Sequence, residues 1–215
     1  MSLRRLAKRW TYDLSHVATR LAAVVLLNIR VRGRHHLPRE GGVLVCANHQ
    51  SYLDPVLVGL ACDRRLNYLA RETLFRFAPF RLLIQWYDAI PIQRDGLGLA
   101  GLKETLRRLR RGELVLIFPE GTRTRDGCVS PLKPGFSALA RRGHVPLLPV
   151  GIDGAFEAWP RSRAWPRRAT IQVELGPPLK ADEVAGMDDA QLIDELERRI
   201  RACHARARAA RGGLT

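Results

Sequence analysis

The segment NHQSYLD, residues 48–54, carries the residue pair best suited to chemistry, His49 with Asp54 five positions later. An imidazole can take a proton near neutral pH, and a carboxylate on its other nitrogen fixes the tautomer and stabilises the cation that forms. A second interpretation of Asp54 stays open. The letters SYLD also fit the helix-start pattern in which an acidic side chain accepts from the amide of Ser51.

Charged side chains follow three further apolar runs. FPEGTR, residues 118–123, brings Glu120 and Arg123 directly after ELVLI. Arg71 follows NYLA, and Arg94 follows DAIPI closely. The carboxyl ends of parallel strands meet at one edge of an open α/β sheet, where such sheets place their sites. A single arginine is more often a solvated charge, but three that converge would suit a phosphate, because guanidinium groups match its oxygens.

Strands that alternate with helices along the chain predict a single α/β domain with a mixed, largely parallel sheet flanked by helices. Short β-branched runs bounded by glycine or proline predict strands, and apolar residues at helical spacing predict helices. The expected strands are 41–48, 67–70, 88–92, 113–121, 145–152 and 170–175. The expected helices are 54–62, 73–86, 96–112, 134–142 and 188–208.

The amino-terminal segment, residues 1–30, has the pattern of an amphipathic helix. Apolar residues recur at helical spacing from Leu3 to Val24, and basic residues lie opposite them. A basic helix with Trp10 on its apolar face suits the interface of an anionic membrane. A helix packed against its own domain would have the same pattern, and both interpretations remain open at this point.

The composition restricts the class of partner. The 215 residues include 36 Lys and Arg against 21 Asp and Glu, a formal net charge of +15. This surplus predicts an anionic partner: nucleic acid, a membrane surface, or an acidic substrate or carrier. Four scattered cysteines without CxxC spacing indicate neither zinc nor a disulfide framework. The longest apolar run, 21–29, is too short to span a bilayer and precedes no cleavage site, so we expect neither a spanning segment nor a signal peptide.

Four segments, taken in order, resemble motifs of the glycerophospholipid acyltransferases, and of the lysophosphatidic acid acyltransferase branch in particular. NHQSYLDP is similar to NHxxxxD, IPIQR to the arginine-bearing second motif, FPEGTR to the third motif letter for letter, and VPLLPV to the fourth. ARETLF resembles the basic segment between the first two motifs. The resemblance covers about residues 33–178. It departs where Asp88 replaces a usual glycine and where Arg71 replaces a common lysine.

The resemblance implies transfer of a fatty acyl group from acyl-CoA or acyl carrier protein to the free hydroxyl of a lysophospholipid, with 1-acylglycerol 3-phosphate as the first expectation and phosphatidic acid as the product. It implies His49 as general base and Asp54 as the residue that orients it, with no metal and no cofactor. The implied substrate-binding residues are Arg71, Arg94, Glu120, Gly121, Thr122 and Arg123. Glu120 positions either the glycerol or its own turn, and both roles remain open.

A lipid acceptor also shifts the interpretation of the amino-terminal helix towards membrane attachment. The implied location is the cytoplasmic face of the cell membrane, peripheral or monotopic, with an anionic membrane surface as partner. The expected organisation is a membrane-associating helix at 1–30, an acyltransferase α/β domain at 31–180, and a carboxyl-terminal helix with a basic tail at 181–215.

Other functions have weaker signals. A related O-acyltransferase could use another acceptor, such as a lyso-ornithine lipid or glycerol 3-phosphate. GFSAL, 135–139, begins like an esterase nucleophile elbow, but Leu139 replaces the last glycine and Ser137 falls in an expected helix. The basic tail alone would suit nucleic acid, yet no zinc finger, RNP-type strand or P-loop accompanies it, so we expect no nucleic-acid partner. An inactive lipid-binding relative would not need the intact His49 and Asp54.

Overall fold

A computed structural model of the chain describes residues 28–71, 90–92 and 98–213, without the side chains of residues 70, 71, 90–92 and 99. The strands in these ranges are β1 Ile29–Arg32, β2 Val43–Ala47, β3 Leu66–Arg71, β4 Ile90–Ile92, β5 Leu114–Ile117, β6 Leu147–Asp153 and β7 Ile171–Leu175. The α-helices are α1 Asp54–Ala61, α2 Gly98–Arg110, α3 Ser137–Gly143, α4 Ala155–Ala158, α5 Ala181–Gly186 and α6 Asp189–Gly212. Single 3₁₀ turns occupy Arg34–His36 and Pro134–Phe136.

The strands form one mixed sheet in the order β1-β7-β6-β2-β5-β3-β4. Strands β6 and β7 pair antiparallel, and the other described neighbours pair parallel. The carboxyl ends of β2 to β6 therefore share an edge of the sheet with the amino ends of β1 and β7. This edge is called the carboxyl edge below. The prediction of a mixed, largely parallel α/β sheet is confirmed.

Helices cover both faces of the sheet because the central strands are apolar on both sides. Val43 and Val45 of β2 face a cluster that includes Leu57 of α1. The alternate residue Leu44 faces a second cluster that includes Leu109 of α2, together with residues of α3 and α6. A strand buried on both faces reads as a continuous apolar run, which is why these strands could be predicted from sequence.

The terminal helix α6 belongs to this core. Its buried side chains include Leu192, Leu196 and Ile200, which pack with the second cluster. A side chain at Gly151 of β6 would place its Cβ only 2.2 Å from the backbone nitrogen of His204, so glycine alone lets the helix lie this close to the sheet. The boundary expected at residue 180 therefore separates two parts of one core.

Several expectations are corrected or lie outside the description. Strand β1 begins at Ile29, inside the segment expected to be helical as far as residue 30, because Ile29 and Val31 alternate with exposed arginines at the period of a strand. The terminal helix ends at Gly212 instead of residue 208. The rest of the amino-terminal segment and the expected helix 73–86 lie outside the described residues. Within the described ranges, no helix has the length and apolarity to cross a membrane.

Candidate active site

NHQSYLD and FPEGTR leave neighbouring strands at the carboxyl edge. Strands β2 and β5 pair in parallel, with Cys46 opposite Ile117, so the two segments start side by side. The second segment turns at once: the Gly121 amide donates to the carbonyl of Phe118 at 2.9 Å, and Gly121 has a positive φ of 70°. Glycine adopts that conformation without the strain that a Cβ would add. The expected juxtaposition of the two segments is present.

Asn48 fixes the start of the first segment. Its side-chain amide donates to the Ile152 carbonyl at 2.9 Å, and its oxygen accepts from the Ile152 amide at 2.7 Å. The fully buried Asn48 thus extends the pairing of β2 with β6 by one residue through its side chain. The next residue, His49, leaves the sheet from a rigid support.

His49 and Asp54 form a direct pair. Nδ1 of His49 lies 2.7 Å from Oδ2 of Asp54. The same oxygen accepts the amides of Gln50 at 2.6 Å and Ser51 at 2.7 Å. Both interpretations of Asp54 therefore hold, since it accepts the Ser51 amide just before α1 and also contacts the imidazole. Because a carboxylate only accepts, Nδ1 must donate, which leaves Nε2 as the nitrogen able to take a proton.

Asp54 is completely buried, and its Oδ1 has no hydrogen-bond partner among the described residues. The carboxylate stands at the first turn of α1, where helix amides favour negative charge. The side chain of His49 is 19% exposed, so the pair can meet a substrate through the imidazole only. This is the arrangement of a base held by a buried acid.

Glu120 of the second segment and Thr124, the residue just after it, hold the backbone of His49. The His49 amide donates to Oε1 of Glu120 at 2.8 Å, and the Thr124 amide donates to the His49 carbonyl at 2.8 Å. The other oxygen of Glu120 accepts the Ser130 amide at 3.0 Å. Burial raises the pKa of Glu120, although these amide hydrogen bonds act in the opposite direction. Both oxygens of this buried carboxylate are thus bound to protein backbone.

Phe118 fixes the plane of the His49 ring. The two rings stack with centroids 4.0 Å apart and an interplanar angle of 14°. Together with the Nδ1 hydrogen bond, this contact leaves the imidazole little rotational freedom. Sequence reasoning missed Phe118, although its place in FPEGTR, opposite the histidine segment across two paired strands, was a usable signal.

Arg123 stands on the ring of Tyr52. Its guanidinium carbon is 3.5 Å from the ring centroid, a cation–π contact. Tyr52 in turn lies 5.2 Å from the ring of Trp159, so three flat groups follow one another beside the histidine segment. Nη1 of Arg123 is buried and has no acceptor in the described part of the chain. A buried guanidinium donor without an acceptor is a good partner for an anionic ligand.

The remaining expected site residues divide into two groups. Gly121 and Thr122 are exposed in the turn between Glu120 and Arg123. Arg94 and the side chain of Arg71 lie outside the described residues. The expected convergence of three arginines therefore stays a prediction. The esterase alternative loses its nucleophile, because the hydroxyl of the buried Ser137 donates to the Pro134 carbonyl at 2.8 Å at the start of α3.

The pattern of the acyltransferase family matches residues 28–153. The 1-acyl-sn-glycerol-3-phosphate acyltransferase of Bacillus subtilis is 26% identical over 80% of this chain and 89% of its own length. The enzyme of that name from Limnanthes douglasii is 32% identical over 72% of this chain, which spans only 56% of the plant protein.

The solved structure of the 1-acyl-sn-glycerophosphate acyltransferase from Thermotoga maritima has the same fold. It superposes with a TM-score of 0.83 over 97% of this chain and 84% of that one, at 24% sequence identity. The matched family region contains both polar segments and the strands that hold them. The chain belongs to the acyltransferase family.

Proposed function

We propose that this protein transfers a fatty acyl group from a thioester to the free hydroxyl of 1-acylglycerol 3-phosphate, which yields phosphatidic acid. The observation that carries the proposal is the pairing of His49 with the buried Asp54 beside Arg123, at the carboxyl edge of an acyltransferase-family sheet. The two relatives support the acceptor, since each is named a 1-acyl-sn-glycerol-3-phosphate acyltransferase.

His49 acts as the general base. Its Nε2 removes the proton of the acceptor hydroxyl as the oxygen attacks the thioester carbonyl carbon, and the C–O bond forms while the C–S bond breaks. The imidazolium then returns its proton to the departing thiolate, so a free thiol leaves and the base is restored. The nucleophile comes from the substrate, and no acyl-enzyme forms.

Asp54 makes this cycle easier in two ways. Its Oδ2 accepts the proton on Nδ1 in a hydrogen bond, so that Nε2 is unprotonated and presents its lone pair to the acceptor hydroxyl. The unpartnered Oδ1 leaves the carboxylate with negative charge that favours the imidazolium once it forms. The residue acts through His49 and has no contact of its own with the reacting atoms.

Arg123 binds the acceptor phosphate. The Tyr52 ring holds its guanidinium in place, and the buried Nη1 is a donor that still needs an oxygen. Glu120 positions the turn, since its side chain is buried and its two oxygens accept the amides of His49 and Ser130. We also assign Gly121 and Thr122, which are exposed in the same turn, to the mouth of the acceptor site. Arg71 and Arg94 remain proposed phosphate ligands.

The acyl donor is acyl-CoA or acyl carrier protein, and the protein works at the cytoplasmic face of the membrane as a peripheral or monotopic enzyme. Both proposals follow from the lipid nature of the acceptor and the net charge of +15. The segment 1–30 would attach the chain to the bilayer. Deletion of residues 1–28 should then release the protein from anionic vesicles.

The test is thiol release from a long-chain acyl-CoA with and without 1-acylglycerol 3-phosphate. We expect release that requires the acceptor and falls about a thousandfold in His49→Ala. His35→Ala, which removes an exposed histidine, is the matched control and should behave as wild type. Near-normal transfer by His49→Ala would refute the general base, and release without acceptor would mean a thioesterase.

The acceptor assignment has its own test. Arg123→Ala should raise KM for 1-acylglycerol 3-phosphate by roughly ten- to a hundredfold, the range for a lost hydrogen bond to a charged group, with little change in KM for the donor. Arg125→Ala, two residues on and exposed, is the control. A rise in KM for the acyl donor alone would mean that Arg123 binds the thioester and not the acceptor. Wild-type preference for a lyso-ornithine lipid over the phosphate-bearing acceptor would favour the alternative acyltransferase.

A further inference from the structure

The loop WPRSRAWPRR, residues 159–168, is the most exposed basic and aromatic surface next to the site. Its residues 161–168 are all exposed, and they include four arginines. Trp165 is 80% exposed, far more than the other large apolar side chains of the described chain. An exposed tryptophan among arginines has the composition of a surface that binds at a membrane interface.

The loop is held firmly against the histidine segment. It joins α4 to β7 and therefore lies at the carboxyl edge. The hydroxyl of Ser51 donates to the Trp159 carbonyl at 2.8 Å, and the rings of Tyr52 and Trp159 are 5.2 Å apart. The Arg167 amide closes the base of the loop on the Ala158 carbonyl at 2.9 Å. Whatever binds the loop is thus brought next to the proposed acceptor site.

The charge of the loop is not compensated within the described chain. The acids that precede the loop in the chain, Asp153 and Glu157, are both paired with Arg211 of α6. The side chains of Arg161, Arg163 and Arg168 form no hydrogen bond or ion pair in the described ranges, so the loop presents their charge to solvent.

The amino-terminal segment joins the fold at the same place. Asn28, the first described residue, accepts the Ile171 amide at 3.5 Å and donates to the Thr170 hydroxyl at 3.3 Å. Residues 1–27 are therefore attached within a few residues of the end of the loop. The loop and Asn28, the first described residue after the basic amino-terminal segment, thus both lie at the carboxyl edge.

We propose that the loop 159–168 is a docking surface for an anionic lipid bilayer, with Trp165 in the interfacial layer and the arginines on lipid phosphates. This rests on the proposed function, because a lipid acceptor has to leave the bilayer close to His49. Tryptophan favours the membrane interface, and each basic residue at an anionic surface strengthens binding roughly fivefold. An acidic carrier protein is the competing partner, and the exposed Trp165 between the arginines favours the bilayer.

Vesicle binding by the full-length chain tests the charge of the loop. The triple variant Arg161→Ala, Arg163→Ala, Arg168→Ala should lose at least about tenfold in affinity for phosphatidylglycerol vesicles at low salt, and the loss should shrink in high salt. The matched control is Arg39→Ala, Arg110→Ala, Arg142→Ala, which removes three exposed arginines just before the amino ends of β2, β5 and β6, at the opposite edge. Equal losses in the two triple variants would overturn the proposal.

Tryptophan quenching tests the position of the loop independently of its charge. Lipids with brominated acyl chains should quench wild-type fluorescence more than that of Trp165→Phe, and the difference is the contribution of Trp165. The absence of such a difference, with vesicles bound, would exclude insertion of the loop.

An activity measurement separates this proposal from the proposed function. The loop triple variant should lose transfer to vesicle-borne 1-acylglycerol 3-phosphate at least about fivefold, and keep wild-type transfer to a short-chain, monomeric acceptor. No transfer by wild type to any acceptor would refute the function and leave the vesicle result standing. A loss confined to acyl carrier protein as donor, with unchanged vesicle binding, would assign the loop to that protein instead of the bilayer.

Discussion

Two histidine–aspartate pairs lie close together in this molecule, and they are built differently. Nδ1 of His49 is 2.7 Å from Asp54, whereas Nε2 of His204 is 3.3 Å from Asp153. The side chain of Gln50 links them, since its nitrogen lies 3.2 Å from Nε2 of His204 while its backbone amide donates to Asp54. Distance alone would class both pairs as candidate dyads.

The two carboxylates differ in their neighbours. Asp54 accepts neutral backbone amides besides the imidazole. Asp153 accepts from two arginines of α6, Arg208 at 3.2 Å and Arg211 at 2.5 Å. Burial by itself would raise the pKa of Asp153, but the hydrogen bonds from His204 and the arginines outweigh it and lower that pKa to about 2. The charge of Asp153 is already compensated, so it has little left with which to stabilise an imidazolium.

The two imidazoles differ in the nitrogen that remains. Nε2 of His204 lies 3.3 Å from Asp153 and 3.2 Å from the side-chain nitrogen of Gln50, and the residue is buried. Nε2 of His49 has no hydrogen bond to any described residue, and its side chain reaches the surface. The proposed proton-transfer pair thus differs from the other in its accessible nitrogen and in a carboxylate that no arginine neutralises. The pair His204–Asp153 instead fastens the terminal helix to the sheet.

The sharpest test exchanges each aspartate for asparagine. Asp54→Asn should lower kcat about a thousandfold or more, because the new side chain can still accept the Gln50 and Ser51 amides but favours the wrong tautomer of His49. Asp153→Asn should leave kcat nearly unchanged. Both variants need a circular dichroism check of folding. Comparable losses of kcat would mean that the two pairs work as one unit, and the distinction between them would fail.

The second test measures the free energy of unfolding, on which Asp153→Asn should have a larger effect than Asp54→Asn. Asp153→Asn should lower the free energy of unfolding by about 2 kcal/mol at pH 7, which is what a pKa lowered from 3.8 to about 2 is worth. Because the folded-state pKa is depressed, this stabilisation is present above about pH 4 and disappears as the pH falls through about 2. Urea unfolding of wild type and Asp153→Asn across that pH range should give free energies of unfolding that converge in acid. A constant difference would assign the effect to packing.

The sequence was sufficient for one of these pairs and not for the other. His49 and Asp54 are five residues apart on a turn between a strand and a helix, so local chemistry predicts their contact. Asp153 and His204 are brought together only by the docking of α6 on β6, where Gly151 removes the Cβ that would keep them apart. Nothing in the local pattern around His204 signals that distant partner.

The need for contacts between distant segments also explains where the sequence-based predictions succeeded and failed elsewhere. The sheet could be predicted because its central strands are apolar on both faces, and the alignment of the two polar segments follows from parallel pairing. Strand β1 was missed because four residues with alternating arginines continue a basic helical pattern. The role of Glu120 was left open because the sequence cannot reveal that both its oxygens accept amides from separate segments.

The last test removes the link between the pairs with Gln50→Leu, for which the expected change in kcat is small. The substitution removes the hydrogen bond to the Gly127 carbonyl at 2.7 Å and leaves the buried polar groups around it unpaired, which should cost about 1–3 kcal/mol of stability. Gln172→Leu is the matched control, since the side chain of that buried glutamine has no partner in the described chain and should be replaced without loss. If His49–Asp54 is the whole proton-transfer device, Gln50→Leu should change kcat only slightly and leave the shape of the pH–rate profile intact. A displaced inflection in that profile would show that His204 affects the pKa of the catalytic group. The His204–Asp153 pair would then influence the proposed base as well as hold α6 on the sheet.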